Sequence, residues 1–105
     1  MHIGLCEGRH EIKTNEGEAL DGFIFGTVEN PMDFFSHFEV AKDFFLESIC
    51  NSHTDSNYTL YVTGLTTLLT ATLLAAEKTG VESLTLMHFD RESGKYVPQD
   101  VSPLL

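Results

Sequence analysis

The chain has no tryptophan, three prolines, two cysteines and only six lysines and arginines in 105 residues. Sixteen acidic residues oppose those six bases, for a formal net charge of −10. A nucleic-acid backbone is recognised by clustered basic side chains, so this balance argues against DNA or RNA backbone binding. It argues equally against an anionic membrane surface. Cys6 and Cys50 form no Cys-x-x-Cys pair, and two isolated thiols of this kind are usually free. The longest stretch without a charged residue, Ser56–Ala76, contains a glycine and many threonines and divides into a strand and a helix, so it does not read as a membrane span. MHIGLCEGRHEI lacks the basic-then-apolar pattern of a signal peptide, and a cytoplasmic protein is expected.

What is present is a core. Apolar residues make up 42% of the chain, with eight phenylalanines, and 105 residues fit a single domain, 1–105. The charge is uneven: residues 1–57 carry net −8 and residues 58–105 net −2. An anionic ligand would meet less repulsion in the second half.

His2–Cys6 and Gly22–Val28 are strand candidates, separated by a polar, glycine-containing loop or ragged hairpin, with Gly26 suited to a bulge. Asn30-Pro31-Met32-Asp33 has helix-start chemistry. Phe34, Phe38, Ala41, Phe45 and Ile49 then recur at helical spacing, with Phe35 and Leu46 beside them. Tyr58–Thr63 suits a central strand. Leu65–Thr79 predicts a helix apolar on every side, packed on the sheet and on either the first helix or another subunit. Gly80 supplies its stop. Val81–Phe89 and Lys95–Val97 flank an Asp90–Gly94 turn, and Pro98 weakens pairing beyond it. The fold class expected is α/β: small, Rossmann-like, a mostly parallel sheet of four or five strands, two main helices and a C-terminal antiparallel edge hairpin.

Three groups of residues can carry chemistry. Thr63-Gly64-Leu65-Thr66 joins a strand to a helix N-terminus, where free amides and hydroxyls suit an anion. The same residues also suit a plain corner in which Thr66 caps its helix. The turn lacks the glycines of a dinucleotide fingerprint and the lysine of a phosphate loop. His88-Phe89-Asp90-Arg91 ends the next strand; His88 suits acid–base work and Arg91 a phosphate, or the segment is simply a solvated turn. Glu7-Gly8-Arg9-His10-Glu11 follows the first strand and reads as an acid–base candidate or a solvated loop. None of these shows metal-ligand spacing, and no metal or cofactor is expected.

YVTGL, a helix, then LTLMHFDRESGKYVPQ resembles small uncharacterised α/β proteins of bacteria and phages, over about residues 58–99. More distantly it is similar to the Rossmann-like sensor and ring-nuclease domains associated with CRISPR systems. That resemblance implies a phosphate at Thr63, Gly64 and Thr66, with His88 or Arg91 nearby. The expectation is therefore a binding site for a small anionic or nucleotide-like ligand at the C-terminal rim of the sheet, built from Thr63, Gly64, Thr66, His88, Arg91, Arg9 and His10. The alternative is a non-catalytic, phage-type interaction module using the acidic surface and the phenylalanine-rich helix. A surplus of phenylalanine in so small a chain also points to a homodimer.

Overall fold

The computed structural model describes residues 1–8, 11–51 and 57–105. Five strands form one sheet: β1 (His2–Cys6), β2 (Gly22–Phe25), β3 (Asn57–Tyr61), β4 (Ser83–Asp90) and β5 (Lys95–Asp100). Two helices, α1 (Phe34–Asn51) and α2 (Thr66–Thr79), connect β2 to β3 and β3 to β4. The strand order is β2-β1-β3-β4-β5. Strands β1 to β4 are mutually parallel, and β5 returns antiparallel along β4. This is the small Rossmann-like α/β architecture, with its edge hairpin.

The sheet order dictates the layers. The chain moves from β1 outward to β2, then back across β1 to β3 and on to β4. Parallel crossovers share one hand, so connections running in opposite directions must lie on opposite faces. Helices α1 and α2 therefore share a face and pack on each other. The connection between β1 and β2 must cover the other face, and no helix occurs among its described residues, 7–8 and 11–21. Its tip does so: the Asn15 side chain donates to the Tyr96 carbonyl at 3.1 Å and accepts from the Tyr96 amide at 2.9 Å. Leu20 lies over Gly4.

Strand alternation supplies both faces. Ile3, Leu5, Tyr58, Leu60, Leu84 and Leu86 meet Ala41 and Phe45 of α1 and Leu68, Ala75 and Ala76 of α2 in the main core. On the second face, Tyr61 is buried, its hydroxyl 3.0 Å from His2 Nδ1 and its ring edge-on to Tyr96 at 4.9 Å. The Phe23 ring lies across Gly4, where only a residue without a side chain fits.

Several local expectations shift. Helix α1 begins at Phe34, one turn later than the Asn-Pro signal implies. Asn30 Oδ1 instead accepts from the Met32 amide at 3.1 Å, and the Asn30 carbonyl accepts from the Asp33 amide at 3.2 Å, closing a separate turn. Phe34 and Phe35 are 59% and 74% exposed, so the buried stripe is carried by Ala41 and Phe45, with Phe38 and Phe44 half-buried. The Ile49 side chain, Cys50 beside it and the 52–56 turn lie outside the described side chains or residues. Helix α2 is not buried all round: Leu68, Ala71, Thr72, Ala75 and Ala76 are buried, whereas Leu74 is half exposed. The alanines let α1 approach, which makes α1 the second surface expected for this helix. Leu65, not Thr66, occupies the N-cap position, and no side chain caps the helix there. Gly80 closes α2 at φ 77°, its amide reaching the carbonyls of Ala76 and Glu77. β5 runs through Pro98 to Asp100. Tyr96 turns its amide away from β4 toward Asn15, so Pro98, two residues on, lacks its N–H on the outer edge, where no ladder bond is lost.

A methyl group at position 4 would lie 2.4 Å from Phe23 ring carbons. Gly4→Ala should therefore lower stability by about 1–3 kcal/mol. Removing the ring in Gly4→Ala/Phe23→Ala should relieve the clash, giving a double-mutant cycle in which the two losses are far less than additive in urea unfolding. Strict additivity would contradict this packing.

Candidate functional site

In an open sheet of this order, the carboxyl ends of β1 and β3 form the switch point, because the chain leaves them in opposite directions. A cavity of about 540 Å³ lies there, lined by Cys6, Glu7, Gly8, Glu11, Ile12, Thr63, Gly64, Phe89 and Tyr96. Its roof comes from Glu7, Gly8, Glu11 and Ile12 of the β1–β2 connection, its floor from the rim of the sheet and its side from the β4–β5 hairpin. Gly64 turns the corner into α2 with φ +81°, and a side chain there would stand 3.8 Å from Cys6 Cβ. The Thr63 hydroxyl donates to the Cys6 carbonyl at 3.4 Å, tying the two strand ends together.

Most of the wall is apolar or aromatic. Phe89 and Tyr96 sit edge to face, with centroids 5.3 Å apart. Burial raises the phenol pKa of Tyr96. It also raises that of Tyr61 behind it, helped by Glu16 and by Tyr96. The Cys6 thiol donates to the Gly26 carbonyl at 3.4 Å. Burial raises its pKa, and the neighbouring Glu7 carboxylate raises it further. Cys6 therefore holds its proton, the opposite of an activated nucleophile. Glu7 and Glu11 are the charged side chains on the wall among the described residues, and Glu11 stands 4.0 Å from Lys13.

The structure brings some of the expected residues together. Thr63 and Gly64 line the cavity. Thr66 is the first residue of α2, beside the rim, and its carbonyl accepts from the Thr70 hydroxyl at 3.1 Å. His88 shares the helix-side face with Leu84 and Leu86, and its Nε2 is 2.7 Å from Gln99 Oε1, also on that face. Phe89, one residue on, points into the cavity instead. Arg91 is exposed in the hairpin turn and is not on the cavity wall. Arg9 and His10 lie outside the described residues, although Gly8 and Glu11 on either side of them line the cavity. Among the described residues no cluster of three metal-ligating side chains occurs. The sequence reading missed Cys6, Ile12, Phe89 and Tyr96 as wall residues. An aromatic on each arm of the DRESGK turn was the available signal for two of them.

The hairpin beside the cavity is fixed by its own turn. Asp90 accepts from the Glu92 amide at 3.1 Å, and hydrogen bonding by Ser93, then by that amide, lowers its carboxyl pKa. Asp100 is lowered in the same way by Ser102.

No family model, curated protein or solved structure matches the chain.

Three outcomes follow from this geometry. Gly64→Ala forces a left-handed residue and should cost about 1–2 kcal/mol in thermal or urea unfolding, whereas Gly8→Ala, with open space around it, should be nearly neutral. Cys6 should alkylate more slowly at neutral pH than free cysteine, with the midpoint of its pH–rate curve above the ordinary thiol value of 9.0. Peptide-resolved mass spectrometry separates its rate from that of Cys50. Lowered carboxyls contribute stability above the ordinary value of 3.8 and lose it as pH falls through the lower folded value. The Glu92 and Ser102 amide resonances should therefore titrate in acid with midpoints below 3.8.

Proposed function

We propose that the chain is a small-molecule binding protein whose site is the cavity between the ends of β1 and β3. The observation that carries this reading is a 540 Å³ space at the switch point, walled by Phe89, Tyr96, Ile12 and the Thr63–Gly64 turn. Sites of this size with apolar walls and a few polar groups are the usual form of a ligand pocket. The aromatic pair suits a flat ring, and Thr63 offers a hydroxyl beside it. With Glu7 and Glu11 on the wall, the ring of a nucleoside-like ligand is the part the described residues favour. A phosphate would have to lie outward, toward the first turn of α2 and the hairpin that bears Arg91.

Adenosine and adenosine 5′-monophosphate separate these contributions in amide-detected NMR titrations. Both should shift Gly8, Thr63, Gly64 and Tyr96, and Phe89→Ala should weaken both about tenfold. Arg91→Ala should weaken only the nucleotide. Absence of shifts at those residues with either compound would refute the reading.

A second reading, a homodimer, is supported by a separate observation. Phe34, Phe38, Ala71 and Leu74 line an apolar groove of about 300 Å³ between α1 and α2, on a stretch of α2 without charge. Phe35 lies exposed beside it. Sedimentation of wild type against Phe35→Ser tests this: a dimer lost in the variant supports it, and a monomer at all concentrations removes it.

A further inference from the structure

The two edges of the sheet are treated differently. On β5, Asn15 takes both the amide and the carbonyl of Tyr96, and Pro98 has no N–H to offer outward. That is the protection expected of an exposed edge. β2 forms the other edge. The Asp21 amide donates to the His2 carbonyl and the Glu7 amide to the Phe25 carbonyl, so the odd-numbered residues of β2 face β1. Alternation then turns the N–H and C=O of Gly22 and Ile24 outward, where nothing among the described residues bonds them. Gly22–Phe25 contains no proline, lysine or other charge, and shortness is its one safeguard.

Beside this open edge runs a groove of about 370 Å³ lined by Ile24, Val28, Val40, His37, Glu29 and Asp33 among others. His37 packs edge-on to Phe25, and its Nδ1 is buried without a hydrogen-bond partner. The charged side chains lining the groove among the described residues, Glu29 and Asp33, are both acidic.

We infer that the β2 edge is a docking site for an extended segment of a partner protein, added as a sixth strand, with an apolar centre and basic flanks. Main-chain bonds to Gly22 and Ile24 supply the pairing, and the groove takes alternate side chains. Basic flanks answer Glu29 and Asp33. A second copy is the poorer occupant, because pairing β2 with β2 would bring two chains of net charge −10 together along their acidic margins. This site is distinct from the cavity at the β1–β3 ends and does not rest on it.

The test uses the whole chain and the probe acetyl-Lys-Thr-Val-Ile-Val-Thr-Lys-amide, followed by amide-detected NMR at low salt. Shifts and slowed hydrogen exchange are expected at Gly22 and Ile24, with Val28 and His37 moving alongside and Tyr96 unmoved. A probe with glutamate in place of both lysines should bind at least about tenfold more weakly. Gly22→Lys, placed where a side chain has open space, should abolish the shifts while leaving the rest of the spectrum intact. No shift at Gly22 and Ile24 with about 2 mM probe would overturn the proposal, as would equal binding of the acidic probe. Self-association removed by Gly22→Lys would assign the edge to a second copy instead.

Discussion

The constraint on which the structure depends is the shared hand of its crossovers. β1 is inserted between β2 and β3, so the chain crosses the sheet in both directions. Two crossings of the same hand in opposite directions cannot share a face. Two helices take one face, and the 7–21 segment must serve the other. The described part of that segment is polar and crosses as a loop, held at its tip by the two hydrogen bonds between Asn15 and Tyr96.

A loop covers a sheet less completely than a helix does. Under it the second face is packed where Tyr61, Tyr96, His2 and the Phe23 ring over Gly4 meet. It stands open where the loop leaves β1, and there the cavity forms. The same arrangement leaves the sheet edges unequal. The loop reaches β5 and satisfies the outward groups of Tyr96, while on β2, at which the loop ends, nothing among the described residues bonds the outward groups of Gly22 and Ile24.

Much of the architecture was legible in the sequence. Strand and helix identities followed from periodicity, and the Asp90–Gly94 turn and Gly80 stop from turn chemistry. The sheet order was not legible, because nothing in HIGLC or GFIF says which neighbour each strand takes. With the order hidden, the Thr63–Gly64 corner could be placed on the rim, but its facing partner could not. Face assignment was the second obstacle. His88 and Phe89 are adjacent, and one residue of register decides which enters the cavity. The helix-side position of Leu84 and Leu86 sends His88 to Gln99 and Phe89 to the site. Phe34 illustrates a third limit: helical spacing places it on the stripe, but α1 begins there, beyond the neighbours that would cover it.

The clamp of Asn15 on Tyr96 holds residues 11–21 over the second face, beside the cavity that Glu11 and Ile12 line. Amide hydrogen exchange at Tyr96 in wild type and Asn15→Ala tests it most directly. The clamp predicts a protected Tyr96 amide whose exchange accelerates at least about tenfold in the variant, with main-core amides such as Leu60 unchanged. A Tyr96 amide that exchanges freely in wild type, or equally in both proteins, would contradict the account.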